Sequence, residues 1–212
     1  MKRYVGEVVV LILLVSVLVF WVSNAGGNGS APTVGSVLSH IGNTTSFCWR
    51  AELSGSTNTT ILACINYDNK TAVWRSRGRN GVYVLSAVPG GKFYEINWDL
   101  ATRSHGVEWN VMNFIAWLFR NGNVSGPVRA AKGEYEFNVT YSWTESYAIG
   151  TIENGTPVET KNLIRAIVRV DRDGNPLGGT FTWVRYVIYL NENRTLREET
   201  KGSFEVLGPW VA

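Results

Sequence analysis

Glutamine is absent from the 212-residue chain, and histidine, cysteine and methionine occur only twice each. The two histidines, His40 and His105, stand in no recognisable metal-ligand motif, so no metal site and no cofactor is expected. There is no Gly-x-Ser-x-Gly elbow and no phosphate-binding loop. Asp171-x-Asp173-Gly174 begins like a calcium loop, but the twelfth position holds no glutamate and Pro176 interrupts, which reads as a hairpin turn. Glu134 and Glu136 share one strand face, where neighbouring carboxylates read as solvated side chains rather than a glycosidase pair. No enzyme is expected. An excess of either charge is also missing, with 20 Lys and Arg against 17 Asp and Glu. That balance removes the electrostatic case for nucleic acid. Lack of glutamine is a trait of heat-stable proteins, although the many asparagines point the other way.

The two cysteines organise what is present. Ser46 to Tyr67 reads as a hairpin with Gly55, Ser56 and Thr57 in the loop and Ser54 facing Asn58. Counting outward places Cys48 opposite Cys64. The same register pairs Phe47 with Ile65, Trp49 with Ala63 and Ala51 with Ile61 on one apolar face, and leaves Arg50 and Glu52 on the face of the cysteines. A Cys48–Cys64 disulfide is therefore expected, with an entropic stabilisation of about 3 kcal/mol.

Residues 1–25 read as a signal-anchor or transmembrane segment: Lys2 and Arg3 precede the apolar run Val8 to Val22. Ser23-Asn24-Ala25 has the small residues a signal peptidase prefers, whereas Trp21 suits the interface position of an uncleaved anchor. Either way the chain after Ala25 is exported. The expected localisation is a single-pass cell-membrane protein whose C-terminal domain is extracytoplasmic. Residues 26–33 form a flexible tether, and residues 34–212 form one exported domain. Oxidising conditions outside the membrane fit the disulfide. Asn-x-Ser/Thr sequons begin at Asn28, Asn43, Asn58, Asn69, Asn123, Asn138, Asn154 and Asn193, against about three expected by chance, and mark a glycosylated surface.

Val34 to Ile41 is a short helix that Thr33 can cap. After the hairpin, turns at 67–70, 78–81 and 89–91 separate Thr71 to Arg77, Val82 to Val88 and Lys92 to Trp98, read as a meander of five antiparallel strands. Val107 to Arg120 has helical spacing, with an apolar surface wider than the usual stripe, so the helix is either deeply buried or has part of its surface facing an apolar cavity or ligand. Further strands follow at Glu134 to Trp143, Leu163 to Asp171, Thr180 to Leu190 and Thr195 to Leu207. The domain is mainly β (α+β), with a short N-terminal helix and one inserted apolar helix.

This order resembles the LolA/LppX-like lipoprotein-carrier superfamily: a leading helix, Asn-Thr-Thr-Ser-Phe, a meander ending in Gly-Lys-Phe-Tyr-Glu-Ile, an apolar helix, then Val168-Arg-Val-Asp-Arg-Asp-Gly-Asn-Pro-Leu. The resemblance covers Val34 to Gly208. It implies a curved antiparallel sheet or half-barrel whose concave apolar side is closed by helices and holds acyl chains. The function expected is a membrane-tethered binder of a lipid, a lipidated protein or another apolar ligand. A structural or sensory surface domain whose own side chains fill the core is the alternative. Trp49, Trp74, Trp98, Trp109, Trp117, Trp143 and Trp183 lie on the expected strands or helix, and some of them suit a cavity wall. The cavity candidates are Trp74, Trp98, Trp109, Met112, Phe114, Ile115 and Leu118. Arg75, Arg77 and Arg79, spaced along one side of a strand and its turn, are candidates for binding an anionic group.

Overall fold

The computed structural model describes residues 30–55, 58–149 and 155–210. The apolar run at Val8 to Val22 and the sequons at Asn28 and Asn154 lie outside them. Among the described residues no helix is long and apolar enough to cross a membrane.

Helix α1, Val34–Asn43, starts at Thr33, whose hydroxyl accepts from the Ser36 amide at 3.1 Å while the Ser36 hydroxyl accepts from the Thr33 amide at 2.9 Å. This reciprocal box satisfies two otherwise orphaned N–H groups. Strands β1 (Ser46–Ser54), β2 (Thr59–Asn66), β3 (Thr71–Gly78) and β4 (Gly81–Ala87) then form an antiparallel meander. The first hairpin has the expected register throughout: Cys48 faces Cys64, and Phe47, Trp49 and Ala51 face Ile65, Ala63 and Ile61. The cysteines form a disulfide.

Lys92 to Trp98 is not a fifth strand. Its residues begin helix α2, Tyr94–Arg103, which buries Tyr94, Asn97, Trp98 and Ala101 in part or in full, a repeat of three to four residues. Glu95 in its first turn, Arg103 in its last, and the Asp99–Arg103 pair at 2.8 Å suit a helix. Helix α3, Val111–Asn121, is the apolar one. It begins four residues later than its pattern indicates because Asn110 caps it, the Asn110 Oδ1 accepting from the Asn113 amide at 3.0 Å. Val107 to Trp109 therefore belongs to the loop between the two helices.

Five more strands complete the sheet: β5 (Asn123–Arg129), β6 (Tyr135–Ile149), β7 (Thr156–Val170), β8 (Pro176–Tyr189) and β9 (Arg194–Gly208), with a 3-10 turn at Ala131–Gly133. β5 had no strand signal, because Gly126-Pro127 interrupts it and its pairing with β6 shifts there. The turn between β7 and β8 is built on Asp171, whose Oδ1 accepts from the amides of Asp173 and Asn175.

The nine described strands form one curved, unclosed antiparallel sheet ordered β4-β3-β2-β1-β9-β8-β7-β6-β5. The two meanders join where β9 pairs with β1. β4 and β5 are thus opposite edges, and the chain between them has to traverse the sheet. It does so as α2 and α3, which lie on the inner face: α2 packs on β3 and β4, α3 on β6, and α1 on α3. The core between them contains Phe47, Trp49, Ile65, Ile115, Leu118, Phe137, Ile164 and Val168, each at most 1% exposed. Gly179 and Gly202 make room in it. A Cβ at Gly179 would meet the Ile167 carbonyl oxygen at 2.2 Å, and one at Gly202 would meet the Phe181 ring at 2.5 Å. Both absences let the Phe181 and Phe204 rings lie beneath Phe114, at 5.2 and 5.9 Å between centroids.

Candidate functional site

Helix α3 covers the sheet unevenly. Beside it, the loop of residues 104–109 and the inner faces of β6 to β9 enclose a cleft of about 530 Å³. A smaller lobe of about 290 Å³ continues toward β3 and β4, and Leu53, Glu108 and Trp109 line both. The volume of the larger lobe is typical of a small-ligand pocket.

The wall of the larger lobe is aromatic. Phe114 comes from α3, Trp117 from the next turn of the same helix, Trp143 from β6, and Phe181 and Trp183 from β8. Their rings form a chain: His105 stacks on Trp117 at 5.9 Å, Trp117 meets Trp143 edge-on at 5.2 Å, and Trp143 meets Trp183 at 5.7 Å. Two of the indole nitrogens of this wall are already engaged. Trp143 Nε1 donates to Glu145 at 2.9 Å, and Trp183 Nε1 donates to the buried Asn162 at 3.1 Å. In the smaller lobe Trp74 Nε1 donates to the Trp109 carbonyl at 3.0 Å, and the two rings pack edge-on. At Trp74, Trp143 and Trp183 the satisfied edges leave the ring faces as the surface offered to a ligand.

The loop that closes the cleft is held from behind by two asparagines. Asn110, fully buried, donates to the Tyr67 hydroxyl at 2.7 Å and to the Ala101 carbonyl at 2.6 Å, besides capping α3. Asn113 donates to the Thr102 and Ser104 carbonyls. Burial raises the Tyr67 hydroxyl above its ordinary pKa, and the Asn110 bond pulls it partly back. Glu108 has its carboxylate folded against Gly106, where a Cβ would meet Oε1 at 2.5 Å. Burial raises its pKa above the ordinary carboxylate value, and a bond from its own backbone lowers it.

The expected cavity residues divide. Trp74, Trp109 and Phe114 line the cleft. Met112, Ile115 and Leu118 are on α3 but point into the packed core, at 5%, 0% and 0% exposure. Trp98 is on α2 instead of a strand, stacked on Tyr94 and edge-on to Tyr67, away from the cleft-lining residues. Helical period finds the apolar residues of α3 but not which of them face a gap. Trp117, Trp143 and Trp183 belong to the tryptophan set noted in the sequence; pairing across β6, β7 and β8 brings Trp143 and Trp183 together, and α3 sets Trp117 edge-on against Trp143. Leu53, Glu108 and Glu145 carried no signal.

Arg75 and Arg77 lie on the outer face of β3, beside Val84 and Val82 of β4, and Arg79 follows in the turn. All three are exposed and lie off the cleft. A shallow outer hollow of about 840 Å³ runs across β1, β2 and β6 to β9 and is lined chiefly by hydroxyl and amide side chains with Arg165, Lys201 and Glu52. It is larger than the inner cleft but open, and it lacks the aromatic wall. Asn43, Asn58, Asn69, Asn123, Asn138 and Asn193 are all exposed. No protein-family model, no curated protein and no solved structure matches the chain.

Proposed function

We propose that the chain is a membrane-tethered extracytoplasmic binding protein, without catalytic activity, that holds an apolar ligand between its curved sheet and inserted helices. Residues 1–25 supply the membrane attachment in this reading, and the ligand is a lipid, a lipidated protein or a molecule of similar character. The single observation that carries it is the two-lobed cleft, walled by Trp109, Phe114, Trp117, Trp143 and Trp183. Evolved cores close such gaps, since an unfilled apolar cavity costs stability. The likeness to the LolA/LppX-like carriers belongs to the same proposal.

A second reading, a structural or sensory surface domain, is favoured by the edge strand β4. Its Val82, Tyr83, Val84 and Leu85 are 42–65% exposed, and no strand pairs with its outer side among the described residues.

Native extraction of the full chain, followed by mass spectrometry of chain and bound small molecules, separates the two. The binder is expected to carry lipid near one per chain. Leu53→Trp, which fills the junction of both lobes, is expected to stay folded and lose it. A lipid-free, folded wild-type chain overturns the binding reading.

A further inference from the structure

Among aspartate, glutamate, lysine and arginine, the cleft is lined by glutamates alone. Glu108 stands at the junction of the lobes and Glu145 at the rim of the larger one, and neither lobe is lined by a lysine or arginine. Among the described residues neither carboxylate forms an ion pair, whereas eight pairs form elsewhere. Arg185 projects from the same face of β8 beyond Trp183, but it is taken up by the Tyr147 hydroxyl and by Glu198. The remaining polar groups lining the larger lobe are His105 and the hydroxyls of Ser104 and Thr200. An anionic headgroup entering here would meet two carboxylates. It would also find the Trp143 and Trp183 N–H groups already spent within the protein.

A cation meets the opposite situation. Indole faces attract an ammonium through the ring quadrupole, most strongly where water is excluded, and a half-buried carboxylate beside them adds direct charge attraction. We propose that the cleft selects amphiphiles whose polar end is an ammonium group, with Glu108 as its counter-ion, the tryptophan faces around it, and the apolar body running along the wall toward Phe114 and Phe181. This rests on the apolar-binder reading and names its ligand class.

The test uses the full chain in nanodiscs of an uncharged galactolipid, which carries no ammonium group, with empty nanodiscs subtracting partition into the bilayer. Octyltrimethylammonium, octanoate and octyl glucoside share one chain and differ in headgroup charge. Each is titrated below its micelle concentration while tryptophan fluorescence is followed. The ammonium is expected to bind about tenfold or more tighter than octanoate. Glu108→Gln is expected to remove most of that preference while changing octyl glucoside affinity by less than about twofold. Glu108→Lys is expected to reverse the order of the two ions. Octanoate binding as tightly as the ammonium overturns the proposal, and so does an equal weakening of all three probes by Glu108→Gln. If none of the three binds, the apolar-binder reading itself fails, and the charge preference fails with it.

Discussion

Glu108 is the residue at which structure and function pull apart. Its carboxylate is folded over Gly106 between two apolar lobes, and burial raises its pKa above the 4.5 of an ordinary glutamate. A raised folded-state pKa means the native state holds the proton more tightly than the unfolded chain. The associated stability is complete below pH 4.5 and is lost as pH rises through the folded value. Burial of Glu108 therefore weakens the empty protein as pH rises above the ordinary glutamate value. Glu108→Gln, with nearly the same shape and no charge, is expected to melt higher than wild type at pH 7, with the advantage disappearing below pH 4.5. His105 and Tyr83 also line the cleft and are unchanged by the substitution, so the difference between variants isolates Glu108. Thermal unfolding of both proteins from pH 3 to pH 8 checks this. Equal melting temperatures at pH 7 would show that Glu108 is well solvated. Nothing in the sequence singles out this residue: a glutamate between Val107 and Trp109 acquires its character only when the loop folds across the sheet.

At the scale of elements, the α2–loop–α3 unit depends on Asn110, which joins the end of α2, the start of α3 and Tyr67 beyond β2. Asn110→Ala removes the cap and leaves the Ala101 carbonyl without its buried donor. The expected loss is about 2–4 kcal/mol, read as a lowered unfolding midpoint. A change below about 0.5 kcal/mol would show that the loop does not need this tie. Which elements the sequence discloses follows from the range of the contacts that make them. The first hairpin was legible because two independent signals, the cysteine positions and the apolar alternation, demand one register. Helix α1 was legible from Pro32 and the capping Thr33 ahead of it. Lys92 to Trp98 was not, because in seven residues of mixed polarity a period of two and a period of 3.6 are hard to distinguish. What makes it helical is the stacking of Trp98 on Tyr94 one turn earlier and the packing of Ala101 into the core, both beyond the segment's local pattern. Likewise β5 is a strand only because the edge of β6 is there to pair with it.

The whole molecule is shaped by one topological fact: β4 and β5 are the two edges of the sheet and are consecutive in the chain. The segment linking them must cross the inner face, and it arrives as two helices that bury the middle of that face and leave a gap beside the loop at residues 104–109. The curvature that makes the gap was expected from the carrier resemblance. Its position was not, because it depends on where Gly179 and Gly202 allow Phe181 and Phe204 to sit and on how far α3 reaches. An outer hollow and the bare β4 edge compete with the cleft as places for a ligand or partner. The account requires that apolar chains enter the cleft. Photolabelling decides this directly: the full chain is illuminated with an octyl amphiphile bearing a diazirine in its chain, and the labelled peptides are sequenced by mass spectrometry. The account predicts labels on Trp109, Phe114, Trp117, Trp143 and Trp183, suppressed by Leu53→Trp. Labels confined to Val82 and Val84 on the other face of β4, or to the outer hollow around Ile167 and Thr182, would contradict it.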